Sequence, residues 1–280
     1  MERLKDGLCI CGHRGECISG AENTLSVMRH VMEAGFDMVE TDVRMSADGV
    51  LFLMHNRVLD ECTDATGRLE DHTAEEILRM NAAVNAGGKV PYIPAFEHPA
   101  LFSDFLSLAQ EFPDVVLNVE FKNIPGRNGC SGEFALEAAE KGAAMLLERN
   151  LGDRTLINSF SAAVVEHIYK KYGNRFHYHT FYPWEENIGY TIPPAEYCEV
   201  VCPLNWVFRE DGTRFLRQED MPERYFEELR KSGMRIIVSG GRGEDQFVKL
   251  ERLLSLGGSI IMADDPVKTL EHFRALGLHR

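Results

Sequence analysis

The sequence predicts an α/β fold: a (β/α)8 barrel with a small insertion after its third strand. Three observations point there. Short apolar runs alternate with helical patterns from end to end, the signature of a parallel sheet with crossover helices. The 280 residues suffice for one large core, and barrels of this kind run to about 250 residues. Reactive residues follow several successive strand candidates, as expected when βα loops converge on one mouth. The alternation alone also fits a doubly wound sheet; the third observation favours the closed barrel.

The strand candidates are 8–12, 38–43, 50–55, 115–121, 155–159, 176–181, 200–203, 235–238 and 259–262. Nine candidates must fit eight places, and 176–181 and 200–203 are the doubtful ones. Between the second and third lie only six residues, too few for a helix, so a bare loop must return the chain if those strands are parallel. Helices are expected over 23–34, 73–80, 100–111, 132–150, 162–172, 222–232, 244–256 and 266–276. Thr73 and Glu76 fit a capping box. Asp265-Pro266 fits a helix start, and Gly35 and Gly233 fit helix ends. Residues 56–98 carry loop signals, one short helix and Gly87-Gly88, and read as an insertion over the barrel mouth. Residues 183–220 are rich in Pro, Glu and aromatics and lack periodicity. The chain is read as one domain over 1–280.

Acidic residues outnumber basic ones 44 to 30, a formal charge of −14. That balance argues against general binding to nucleic acid or adhesion to an anionic membrane. A small anionic substrate stays compatible where basic groups cluster locally. The start, Met1-Glu2-Arg3-Leu4-Lys5-Asp6, is charged and lacks the pattern of a signal peptide. No apolar run approaches the length of a membrane span, so stable membrane insertion is not expected. Seven cysteines, odd in number and without zinc-ribbon spacing, point to a reducing, cytoplasmic setting.

The chemistry gathers at strand ends. Glu40 and Asp42 are two apart on an apolar strand and so share a face. Held that close they repel unless a cation or proton lies between them. A solvated edge strand is the bland alternative, which the flanking Met38, Val39 and Val43 oppose. Glu120 and Lys122 share a face with Asn118 on another strand. They read as a structural ion pair or, beside Glu40 and Asp42, as a third oxygen ligand with a cation for phosphate. His13 closes the first strand and His55 the third. Imidazoles there can move protons near neutral pH, and Arg14 can grip a phosphate oxygen. His177 and His179 alternate on a strand and read as structural. Trp206 reads either as a substrate platform or as a loop anchor.

Together these motifs resemble the glycerophosphodiester phosphodiesterase family. The matching run is His13-Arg14-Gly15, Glu22-Asn23-Thr24, Glu40-Thr41-Asp42-Val43, Asp48-Gly49 and His55, followed by Glu120-Phe121-Lys122, Ser159-Phe160 and Asp264-Asp265-Pro266. The likeness is dense to about residue 122 and thin between 161 and 256. It implies a TIM barrel with an insertion after strand three. It implies that Glu40, Asp42 and Glu120 bind one divalent cation, Mg2+ or Ca2+, and that His13 and His55 are general acid and base. Arg14 and Lys122 would contact the phosphate, and Glu22 would orient neighbours or shape the substrate site. The implied reaction is hydrolysis of small-molecule glycerophosphodiesters to glycerol 3-phosphate and an alcohol. Asn56 departs from the aspartate usual in the family. Ile236-Ile237-Val238-Ser239-Gly240-Gly241 stands where a Trp-Thr-Val-Asn motif is common, so an aromatic pocket wall must come from elsewhere or be missing. The divergent second half admits a polyol, sugar or lysophospholipid phosphodiester as substrate. A third reading is a non-catalytic barrel that binds an anionic metabolite.

Overall fold

The computed structural model describes residues 7–86, 90–182, 190–209, 212–216, 218 and 221–279, with backbone alone at 128, 205–209 and 212–216. Eight parallel strands close into a barrel. In chain order they are β1 (Cys9–Gly12), β2 (Met38–Met45), β4 (Val116–Phe121), β5 (Thr155–Asn158), β6 (His177–Tyr182), β7 (Val200–Pro203), β10 (Arg235–Val238) and β11 (Gly258–Ala263). Closure is made by β1, which pairs with β11 on one side and β2 on the other. The two doubtful strands, β6 and β7, are both staves, joined in register from His179↔Val200 to Tyr182↔Pro203.

The ninth strand is β3 (Leu51–Leu53), and it lies outside the barrel. It runs antiparallel to β2, with Val43 opposite Leu53 and Met45 opposite Leu51. The turn explains this. Gly49 has φ +81, a left-handed conformation that favours glycine. The Ser46 hydroxyl donates to Asp48 Oδ1 (2.7 Å), and Ser46 N–H donates to the Val50 carbonyl (2.9 Å). No bare return loop is needed, and Asp48-Gly49 is a hairpin turn.

Helices α1 (Leu25–Glu33), α3 (Phe102–Glu111), α4 (Gly132–Glu148), α5 (Ala162–Tyr172), α6 (Glu223–Ser232), α7 (Gln246–Ser255) and α8 (Pro266–Ala275) cover the outside of the barrel. Their ends follow local chemistry. Thr24 caps α1, Ser131 caps α4 and Asp265 caps α8, with Pro266 in its first turn. Gly233 ends α6 at φ +77. The one-turn α2 (Ala74–Ile77) has the expected capping box between Thr73 and Glu76. It belongs to the segment after β3, which packs Phe52, Met54, Leu59, Leu69, Ile77 and Met80 into a small core of its own. A further hairpin, β8 (Asn205–Arg209) and β9 (Gly212–Leu216), occupies part of the stretch expected to be irregular.

Alternation along the staves sets the polarity of the barrel. Met38, Val116, Leu156, Val200, Ile237 and Ile260 close its lower interior. Further up β2, on the face of Met38, come Glu40 and Asp42. Further up β4, on the face of Val116, come Asn118, Glu120 and, just past the strand, Lys122. The interior therefore turns from apolar to charged towards the C-terminal ends of the strands, where barrels of this kind carry their sites.

Candidate active site

Glu40, Asp42 and Glu120 meet at that end. One ligand oxygen from each lies within 4.8 Å of the others, and all three side chains are buried. The strand pairing brings this about, since Asp42 stands opposite Glu120 on neighbouring staves. Burial raises the pKa of Glu40, and the charges of Asp42 and Glu120 push it further. Burial also raises Glu120, against the pull of Lys122. Asp42 goes the other way. Burial opposes its charge, but Lys122, His55 and Arg14, with a hydrogen bond from Asn23, hold it well below the usual carboxylate range. Three carboxylates facing two fixed cations, Arg14 and Lys122, leave an excess of negative charge that favours a cation among them. Three hard oxygens suit Mg2+ or Ca2+, so the donor set fits the metal that the resemblance implies.

The surrounding loops hold these groups in place. Lys122 Nζ lies 2.7 Å from Glu120 Oε1 and 3.4 Å from Asp42 Oδ1. The Arg14 backbone N–H donates to Glu40 Oε2 (2.9 Å), an approach made possible by left-handed turns at Arg14 (φ 55) and Gly15 (φ 77). The Arg14 guanidinium reaches Glu22 (2.8 Å) and Asp42 (3.6 Å). Glu22 thus meets the site through Arg14. Asn23, to which sequence reasoning assigned no role, is also left-handed (φ 61) and buried. It donates to Asp42 Oδ2 (2.9 Å) and accepts from the Thr41 hydroxyl and the Asp42 N–H. Backbone strain at buried polar residues of this kind clusters at functional sites.

His13 and His55 line the same cavity as the three acids. His13 Nδ1 donates to Asp264 Oδ1 at 2.6 Å, and Arg242 Nε donates to the other oxygen of Asp264 at 2.9 Å. His55 Nδ1 donates to Asn56 Oδ1 at 2.5 Å, and Asn56 in turn donates to Glu61. Each ring is therefore fixed through Nδ1 and keeps Nε2 for chemistry. Burial lowers His55 to about 4, assisted by Lys122 and Arg14 and opposed by Asp42. Arg44 holds the His55 backbone, with Nε and Nη2 donating to the His55 carbonyl at 3.0 and 2.9 Å. Glu70 pairs with Arg44 (3.3 Å) and Arg57 (3.2 Å), tying the segment after β3 to the barrel. Asp264 was legible as a motif, but its bond to His13 spans 251 residues and leaves no local signal.

The cavity holds about 1030 Å3. Phe160 and Phe181 form one wall, stacked at 4.1 Å and 6°, with Lys122 Nζ 5.2 Å from the Phe160 ring. The aromatic surface that 236–241 lacks is therefore supplied by the loop after β5 and by β6. His179 lies at the cavity floor, fully buried beside Asn118, and burial lowers it to about 3. His177 pairs instead with Glu199 (2.9 Å). The Trp206 side chain and residues 87–88 and 183–189 lie outside what the structure describes.

Residues 13–187 match the sequence profile of the glycerophosphoryl diester phosphodiesterase family. A glycerophosphodiester phosphodiesterase of Caldanaerobacter subterraneus subsp. tengcongensis is 26% identical over 243 residues, covering 82% of this chain and 93% of the relative. Human glycerophosphodiester phosphodiesterase 1 is 40% identical over 81 residues, which cover 29% of this chain and 24% of its own length. Among solved structures, a phosphodiesterase of Oleispira antarctica in complex with sn-glycerol-3-phosphate has a TM-score of 0.74 at 17% identity, covering 96% of this chain and 97% of that one. A protein of Silicibacter pomeroyi described as a putative member of the same enzyme class gives 0.76 at 20% identity, covering 99% and 98%.

Proposed function

This chain belongs to the glycerophosphoryl diester phosphodiesterase family of phosphoric diester hydrolases, and we propose that it cleaves small glycerophosphodiesters to glycerol 3-phosphate and an alcohol. One observation carries the reading: three buried carboxylates and two imidazoles, each fixed through Nδ1, face a single cavity. Glu40, Asp42 and Glu120 would hold one Mg2+ or Ca2+, which supplies charge neutralisation at a phosphate oxygen when bound. Arg14 and Lys122 bind the remaining phosphate charge. Glu22 keeps the Arg14 guanidinium turned to the site.

The histidine partners suggest a division of labour. Asp264 puts a carboxylate against His13 and compensates a positive ring, so His13 is the general acid that protonates the leaving oxygen. His55 faces a neutral amide among cations and stays uncharged, so it is the base that takes the nucleophile's proton at Nε2. Phe160 and Phe181 shape the pocket for the alcohol. The cavity lies near the upper end of small-molecule sites, and that size with its aromatic wall also supports a second reading, a bulkier polyol, sugar or lysophospholipid leaving group.

The whole chain is read as one domain, with 56–98 as its insertion. Among the described residues no helix is long and apolar enough to cross a membrane. Among the described residues no two cysteines form a disulfide, in keeping with the reducing, cytoplasmic setting read from the sequence. A coupled assay for glycerol 3-phosphate, run on glycerophosphocholine and related diesters with Mg2+ or Ca2+, should show turnover that a chelator abolishes. Silence across the panel would reject the substrate class. Turnover of an aryl phosphodiester in the same preparation would then favour the second reading.

A further inference from the structure

A second cluster of metal-ligating groups sits behind His13 and differs in kind from the carboxylate cluster. His13, Cys17 and Asp264 each offer one ligand atom within 4.8 Å of the others. Cys17 Sγ lies 3.9 Å from His13 Nδ1, and Asp264 Oδ1 lies 2.6 Å from the same nitrogen. The backbone fixes the three together. His13 N–H donates to the Ala263 carbonyl and Cys17 N–H to the Asp264 carbonyl, both at 3.0 Å. The loop after β1 is thereby stitched to the end of β11. His13 and Asp264 are partly exposed at the side chain (28% and 15%) and His13 lines the cavity, so an ion would enter from their side, with the buried Cys17 behind them.

We propose that His13 Nδ1, Cys17 Sγ and an Asp264 oxygen form a site for a thiophilic divalent cation such as Zn2+, whose occupation inhibits the enzyme. The donor set of nitrogen, sulfur and one oxygen suits Zn2+ rather than Mg2+ or Ca2+. Zinc bond lengths place tetrahedral ligand atoms about 3.3–3.6 Å apart. The sulfur contact is slightly longer than that and the carboxylate contact shorter, so a small opening of the His13–Asp264 pair admits the ion. Coordination releases the Nδ1 proton and the Cys17 thiol proton to solvent, and the ion takes their place. The fourth position would go to water. Asp264 can keep its other oxygen on Arg242. The Arg242 side chain, which also approaches Cys17, is half exposed and free to withdraw from the sulfur. Glu22 and Arg14 are the other charged neighbours.

The inhibitory consequence rests on the reading of His13 as a catalytic residue; the binding does not. A metal on Nδ1 breaks the His13–Asp264 hydrogen bond and replaces the imidazolium that serves as acid by a metal-bound neutral imidazole, whose Nε2–H is a much weaker acid and no longer delivers its proton.

The test has two readouts. Co2+ is first titrated into the metal-free full-length protein. A thiolate-to-cobalt charge-transfer absorption should appear in the near ultraviolet and be displaced by Zn2+. It should vanish in Cys17→Ala and persist in Glu40→Gln. Turnover is then measured at saturating Mg2+ with added Zn2+. Cys17→Ala should raise the inhibitory Zn2+ concentration at least tenfold, with the isosteric Cys17→Ser as a second variant. No absorption in the wild type, absorption that survives Cys17→Ala, or undiminished zinc sensitivity in both variants would overturn the proposal. Absence of turnover in the wild type would instead strike the proposed activity, and the cobalt signal would still decide the metal site.

Discussion

The two histidines sit in opposite settings around one cavity. His13 is tied to a carboxylate delivered by the last strand of the barrel, which also holds Arg242. His55 is tied to the amide next to it in sequence, and its backbone is gripped by Arg44. One ring has a carboxylate at Nδ1, the other a neutral amide. The proposed acid and base need two environments that pull apart, and a single fold offers two here by closing the barrel on one side and a local turn on the other.

Removing either imidazole gives the largest expected effect. His13→Ala and His55→Ala should each lower kcat about 10^3-fold, within the range of general acid–base catalysis. Metal affinity, measured by calorimetry, should stay within a few-fold, because neither ring is among the three clustered acids. Glu40→Ala should lose both turnover and metal binding. Wild-type activity in the two histidine variants would place the chemistry elsewhere.

Next comes the partner of the acid. Asp264→Asn keeps the shape but removes the charge that orients His13, so kcat should fall about 10- to 100-fold, as for other groups that hold a reacting side chain. KM should change little, since Asp264 does not line the cavity. If KM rises and kcat holds, Asp264 acts on substrate binding and the contrast between the rings loses its basis.

The partner of the base gives a smaller effect of a different kind. Asn56→Asp puts a carboxylate beside His55 and favours its charged form. The ring acts as base only when uncharged, so activity rises with pH through its pKa. With that pKa lowered to about 4 in the wild type, activity should persist below pH 5. In Asn56→Asp the acidic limb of kcat/KM should move up by about one pH unit, with the plateau changed only a few-fold. An unmoved limb would show that His55 is not the base.

How much of this was legible follows the range of each interaction. Period-2 faces placed Glu40 with Asp42 and Glu120 with Lys122 before any coordinates. Helix ends were readable because caps are local: Thr73, Asp265 and Gly233 all do what their positions suggest. What escaped was pairing across the barrel. The bond from His13 to Asp264 and the stack of Phe160 on Phe181 depend on which staves become neighbours, and local pattern does not encode that. Strand direction escaped for a related reason. The run 50–55 looks the same whether it returns parallel or antiparallel, and the turn at Gly49 decides.

That turn supplies the smallest prediction, and it separates site from scaffold within one motif. Asp48-Gly49 stands in the same run of matching residues as His13 and Glu40, which would suggest a role in chemistry. Asp48 instead accepts from the Ser46 hydroxyl and from the Ala74 N–H at the start of α2 (2.7 and 2.9 Å), and it does not line the cavity. The hydrogen bonds to Ser46 and Ala74 hold its carboxyl below the usual range. Asp48→Ala should therefore lower the thermal midpoint by about 2 °C and leave kcat and KM as they are. The linkage fixes the pH at which the difference shows. A carboxylate with a depressed folded pKa contributes stability above its unfolded pKa and loses it as pH falls through the folded one. The wild-type advantage should thus be full near neutrality and fade towards acid pH. If Asp48→Ala instead cut turnover while the midpoint held, the hairpin would belong to the catalytic machinery, and β3 would be positioning His55 as part of the reaction rather than as a by-product of the fold.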